Sequence, residues 1–180
     1  MRFFGKDNLE LYDSGSTADL DRLADSCVDL LRKHKLIVTT AESCTGGMLS
    51  AKLVDIPGVS EVFQEGYVTY SNKSKRRLLN VSKSTLKKYG AVSTQTAREM
   101  AIGAVFAASA DIAVSITGIA GPDGGDEEKP VGLVFIACYM NDRVTVEEHH
   151  FRGSRSEVRT QSVQSALRLL RATILEHSKD

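Results

Sequence analysis

TTAESCTGG, residues 39–47, is the stretch on which the fold turns. Before it, Leu36, Ile37 and Val38 form a short apolar run of the kind that makes a buried strand, and after it Met48 to about Val54 reads as a helix. A strand that gives way to a helix through a short polar loop is half of a parallel α/β unit, and open sheets of that kind bind ligands at the carboxyl ends of their strands. Gly46 and Gly47 permit a tight turn, and the unpaired N–H groups of the following helix face back toward the loop. An oxyanion or a phosphate is the natural guest there.

Working upstream, Leu20, Leu23, Cys27, Leu30 and Leu31 recur at helical spacing from a Ser16 start to about Lys33, while residues 1–15 lack any sustained period and read as an arm. Downstream, Pro57 and Gly58 close the short helix, and Phe63 to Tyr70 reads as a second strand that ends in polar residues. Three helical pieces follow: Lys73 to Leu79, Lys83 to Tyr89, and a long one capped by Ser93 that carries Ala97, Met100, Ala101, Ala104, Val105 and Ala108. Asp111 to Thr117 is a near-continuous apolar strand that runs into the glycine-rich loop GIAGPDGGDEEKP, residues 118–130. Val131 to Met140 and Val144 to Phe151 form an antiparallel pair around Asn141 and Asp142. A last helix, capped by Ser154 or Ser156, presents Val158, Val163, Ala166, Leu167, Leu170 and Ile174 on one face as far as about Glu176. Helices alternating with strands early and a hairpin late predict a single-domain, three-layer α/β/α sandwich over residues 16–180, with a mixed, partly parallel sheet.

Composition narrows the function classes. The 180 residues suffice for one core, and 42% apolar with 26% charged residues is globular composition. No apolar run approaches the ~20 residues of a membrane span. Twenty-three basic residues balance 23 acidic ones, so nothing global points to nucleic acid or a membrane surface. Cys27, Cys44 and Cys138 lack metal-ligand spacing and the N-terminus lacks a secretory pattern, which predicts a reducing cytoplasm.

Three polar segments leave strand ends: Glu42 to Gly47, Ser71 to Lys75, and Gly118 to Gly125. If those ends face one way they share a cleft. Ser43, Cys44 and Thr45 are the candidate nucleophiles, and each needs a base. His34, His149, His150 and His177 all lie away from the glycine-rich turns, so a Ser-Lys pair is the better reading than a Ser-His-Asp triad. Lys73, Lys75 and Lys129 are the available bases. Against this stand plainer roles: Ser43 as a helix cap, Cys44 as a packed small hydrophobe, Lys75 as one of a solvated basic cluster, and Glu42 as either an orienting carboxylate or an exposed charge. Asp126, Glu127 and Glu128 read as solvated rather than metal-binding. Arg152, Arg155 and Arg159 bracket the start of the last helix, where guanidinium groups and a helix terminus together suit a phosphate.

TTAESCTGG at 39–47, GYVTYSNKSK at 66–75, GAVS at 90–93, EMAIGA at 99–104, and SITGIAGPDGG with EEKPVG between Ser115 and Gly132 occur in one order, and together they resemble the C-terminal domain of CinA proteins, the nicotinamide mononucleotide amidohydrolases. The resemblance spans roughly Ala18 to Glu176. It implies hydrolysis of the nicotinamide mononucleotide carboxamide to nicotinic acid mononucleotide and ammonia, in pyridine nucleotide salvage, without metal or other cofactor. It implies Ser43 as nucleophile and Lys75 as base, with Tyr70 lining the base or relaying its proton. Glu42 and the Thr45, Gly46 and Gly47 backbone would shape the oxyanion site, while Thr117, Gly118 and the glycines to Gly121 cradle the nucleotide. The phosphate would fall to backbone amides or to Arg155 and Arg159. A homodimer is implied as well. FFGKDNLELYD near the N-terminus resembles the linker that precedes this domain in two-domain CinA proteins, so a natural single-domain form and an excised fragment are both open readings. Two other functions stay open: a catalytically silent nucleotide- or protein-binding module linked to competence or DNA damage responses, and an amidase or esterase acting on another small substrate.

Overall fold

The computed structural model describes residues 17–177; the arm expected at 1–15 and the Ser16 cap lie outside the described residues. The elements run α1 (Thr17–His34), β1 (Val38–Glu42), α2 (Met48–Val54), β2 (Phe63–Val68), α3 (Asn72–Leu79), α4 (Lys83–Tyr89), α5 (Thr94–Ala108), β3 (Ile112–Gly118), β4 (Leu133–Met140), β5 (Arg143–His150) and α6 (Arg155–His177), with a turn of 3-10 helix at Val59–Glu61. They form a five-stranded sheet in the order β2-β1-β3-β4-β5. Strand β1 is parallel to both neighbours, whereas β4 and β5 run antiparallel, so the sheet is mixed as expected.

Period-2 alternation divides the side chains between two cores. From β3, Ile112, Val114 and Ile116 pack with α1, α2 and α6, as do Val134, Ile136, Cys138 and Met140 of β4. Ala113 from β3 and Leu133, Phe135, Ala137 and Tyr139 from β4 meet α5 on the other face. Three layers result. The second core is built largely of small residues: Ala41, Ala113 and Ala137 face Ala97, Ala101 and Ala104. That lets helix and sheet approach closely, and the Ser115 hydroxyl donates to the Ala97 carbonyl at 2.6 Å. Gly103 of α5 lies against the end of α3, where a Cβ would sit 1.9 Å from the Leu79 carbonyl oxygen.

The strand ends differ from the sequence expectation in an instructive way. Leu36 and Ile37 precede β1, and the strand runs on through Thr39, Thr40, Ala41 and Glu42 with all five of its residues buried. Polar residues can occupy a buried strand when they are satisfied there. The Thr39 hydroxyl donates to the Glu65 carbonyl at 2.8 Å, and the Thr40 and Ser50 hydroxyls lie 2.7 Å apart. The loop after β1 therefore shrinks to Ser43–Gly47. Strand β2 ends at Val68 rather than Tyr70. Ser71, Ser82 and Ser93 cap α3, α4 and α5, and the Ser154 hydroxyl accepts from the Glu157 amide at the start of α6. Asn141 and Asp142 both take positive φ, the geometry of a two-residue hairpin turn whose twist matches that of the flanking strands. No helix among the described residues is long and apolar enough to cross a membrane.

Candidate active site

Because β1, β2 and β3 are mutually parallel, their carboxyl ends open on one edge of the sheet, and a cavity of about 260 Å³ lies there. The exit from β1 contributes Ser43 and Cys44, the segment after β2 contributes Tyr70 and Lys75, and the turn between α4 and α5 contributes Ala91 and Val92. Thr117 to Gly121, Asp123 and Gly124 form another wall, and Arg155 closes the rim.

Lys75 Nζ lies 2.8 Å from Ser43 Oγ and donates to the Thr69 carbonyl at 2.7 Å. Of the three sequence candidates for the base, Lys75 alone reaches the serine. Lys73 is exposed, and Lys129 donates to the carbonyls of Tyr89 and Val92 instead. Lys75 reaches inward because α3 begins early: Ser71 and Ser74 make a reciprocal cap, which leaves Lys75 on the first turn facing the sheet. Its side chain is fully buried, and that burial lowers its pKa from 10.5 to about 8. An unprotonated amine is thus accessible near neutral pH. Ser43 is held by its own amide, which donates to the Ile116 carbonyl at 2.9 Å, and its residue is 8% exposed.

Glu42 is an orienting carboxylate rather than an exposed charge or a ligand group. It is fully buried and accepts from the Gly47, Leu49 and Ser50 amides and the Ser50 hydroxyl, at 2.7–3.0 Å. These are the amides that a helix N-terminus leaves unpaired, so the carboxylate caps α2 and fixes the serine loop to it. This revises the expected oxyanion site. The Gly47 amide is engaged by Glu42 and the Gly46 amide by the Ser43 carbonyl, which removes both from a bound oxyanion. Both glycines take positive φ, the conformation the tight turn demands. Thr45 is fully buried, and its hydroxyl, like that of Thr69, has no hydrogen-bond partner among the described residues.

Several of the other expected site residues also bond to protein groups around the cavity. Arg159 turns to the serine loop, with Nε donating to the Cys44 carbonyl and a terminal nitrogen to that of Thr45. It braces the loop. Tyr70 is 62% exposed, lines the cavity with Ser43 and Lys75, and its hydroxyl accepts from Arg155 at 3.1 Å. Arg155 also donates to the Gly121 carbonyl at 2.7 Å. The Thr117 hydroxyl is committed to the Ala91 carbonyl at 2.8 Å, so Thr117 shapes the wall through its backbone. Gly118 permits close strand pairing, since a Cβ there would lie 2.7 Å from the Leu133 carbonyl oxygen. Burial pushes the Cys44 thiol up to about 11, which makes it a packed neutral group beside the serine. No histidine lines the cavity. Among the described residues no cluster of His, Cys, Asp or Glu has the makings of a metal site.

The profile of the CinA C-terminal domain matches residues 20–174. The chain belongs to the CinA C-terminal domain family. Among its CinA relatives, a competence-damage inducible protein of Clostridium beijerinckii is 52% identical over 147 residues, and a CinA-like protein of Kosmotoga olearia is 48% identical over 155. These alignments cover 82% and 86% of this chain but 36% and 38% of the relatives, so the chain spans little more than a third of their length. Solved structures agree in fold. The competence/damage inducible protein CihA of Agrobacterium tumefaciens is 44% identical with a TM-score of 0.83, covering 85% of this chain and 94% of that one. A CinA superfamily protein of Escherichia coli is 35% identical with a TM-score of 0.83, covering 89% and 92%.

Proposed function

We propose that this CinA domain is a Ser-Lys amidohydrolase that converts nicotinamide mononucleotide to nicotinic acid mononucleotide and ammonia. The observation that carries the reading is the buried Lys75 amine 2.8 Å from Ser43 Oγ, in a cavity at the strand ends. Neutral Lys75 takes the Ser43 proton as Oγ attacks the carboxamide carbon, giving a tetrahedral oxyanion. The lysine then returns that proton to the departing nitrogen, the C–N bond breaks, and ammonia leaves an acyl-serine. Water attacks the ester, Lys75 accepts its proton and passes it to Ser43, and the carboxylate product is released. The Gly46 and Gly47 amides are engaged within the loop, so neither is left for the oxyanion. Arg155, exposed and lining the cavity, is the group we assign to the substrate phosphate, while Arg159 braces the serine loop.

The test is ammonia release from nicotinamide mononucleotide by wild type, Ser43→Ala and Lys75→Ala, with chelator present. The expected result is turnover by wild type and a fall of roughly 10²-fold or more in both variants, as for loss of a nucleophile or its base. An inactive wild type leaves a binding module, and variants that keep the rate of an active wild type sink the dyad.

A further inference from the structure

The segment between α4 and α5 supplies one cavity wall through Ala91 and Val92, residues without a polar side chain. Its place is set through its carbonyl oxygens. Those of Tyr89 and Val92 accept from Lys129 Nζ at 2.6 and 2.9 Å, that of Gly90 from the Ser93 and Thr96 hydroxyls, and that of Ala91 from the Thr117 hydroxyl. Ser93 and Thr96 belong to the start of α5 itself and Thr117 to β3. Lys129 alone among these donors comes from the far end of the glycine-rich loop, which lines the same cavity through Ala120, Gly121, Asp123 and Gly124.

The lysine is itself held in place. Its backbone amide donates to the Asp126 carboxylate at 2.6 Å and its carbonyl accepts from the Asp126 amide at 3.0 Å, a closed turn from which the side chain projects. Gly90 leaves room for the ammonium, because a Cβ there would lie 3.1 Å from Nζ on a backbone at φ 79°. Ammonium-to-carbonyl bonds are charge-assisted and stronger than neutral ones, so two of them from one Nζ make a firm tie across an otherwise open loop.

We infer that Lys129 is a positioning residue: its ammonium straps the glycine-rich loop to residues 89–92 and so sets the spacing of the two walls between which the nucleotide binds. The strap rests on geometry alone; its effect on substrate rests on the amidohydrolase reading. The group never reaches the cavity, so its loss alters binding and leaves the Ser43–Lys75 pair in place.

Lys129→Met and Lys129→Arg test this with two readouts. Hydrogen exchange in the Tyr89 and Gly90 amides, which close the end of α4, should quicken at least tenfold in Lys129→Met with the thermal midpoint held. KM for nicotinamide mononucleotide should rise about tenfold with kcat within twofold, and Lys129→Arg, which keeps charge and donors, should recover KM to within threefold of wild type. Unchanged exchange overturns the strap. Faster exchange with unchanged KM, or a loss confined to kcat, overturns its role in binding. A wild type that releases no ammonia refutes the amidohydrolase reading, and the exchange measurement still decides the strap.

Discussion

The two glycine-bearing exits from the parallel strands are built on opposite plans. After β1, five residues turn into α2 and are held by a buried carboxylate and by Arg159, with Ser43 fixed through its own amide. After β3, a much longer loop runs exposed from Pro122 to Glu128 and touches the rest of the protein through a few ties, from Lys129 and Arg155. The difference teaches a division of labour. Bond-making needs groups held to fractions of an ångström, whereas recognition of a substrate's remote parts tolerates a wall that adjusts.

The strongest way to break the comparison is to unlock the rigid exit. Glu42→Leu leaves the Gly47, Leu49 and Ser50 amides without their acceptor inside the protein, and the expected cost is about 3 kcal/mol of stability, read as a fall of roughly 10 °C in thermal midpoint. A change under 1 kcal/mol in chemical denaturation would show that the carboxylate is not what holds the loop.

Lys75 sharpens the comparison through pH. Its folded pKa of about 8 lies below the unfolded 10.5, so between those values the unfolded chain holds the extra proton and stability rises with pH, while below about 8 the full penalty of burying the charge is present. Lys75→Met should therefore raise stability by roughly 2 kcal/mol at pH 7, after the loss of two hydrogen bonds is set against the shift. The gain should shrink toward pH 10. The same shift predicts that wild-type kcat/KM climbs tenfold per pH unit up to about 8 and then levels. A profile flat from pH 6 to 9 removes Lys75 as the base.

The smallest effect separates two arginines that look alike in sequence. Arg155→Met should raise KM about tenfold, or about 1.4 kcal/mol, with little change in kcat. Arg159→Met should lower kcat instead, because it releases the carbonyls of Cys44 and Thr45 beside the nucleophile. Equal effects on both constants in both variants would erase the distinction between a braced exit and an adaptable one.

That pair of arginines marks the boundary of what was legible in the chain. The sandwich, the mixed sheet and α4 to the residue followed from hydrophobic period and serine caps, because those signals are local. The run of β1 through Glu42 did not, since the hydrogen-bond partners that make two threonines and a glutamate welcome in a buried strand come from Ser50, Glu65 and the amides at the start of α2. Ser43 and Lys75 were named as neighbours on the strength of strand ends and resemblance, and they meet. Tyr70 was placed beside the base and Arg159, Thr117 and Gly47 around the substrate, and the further protein bonds that each makes come from distant parts of the chain or from buried amides that no local pattern reveals. Lys129 offered a signal only as a spare amine in a loop; what it does depends on carbonyls 37 and 40 residues away.

Ser43 and Lys75 stand 32 positions apart, within the single crossover that carries β1 through α2 to the parallel β2 and into α3. Their 2.8 Å spacing is thus an inheritance of one βαβ unit. The stretch between β3 and β4 lies outside that unit, so insertions, deletions and sequence drift there can reshape one wall of the cavity without moving Ser43 and Lys75.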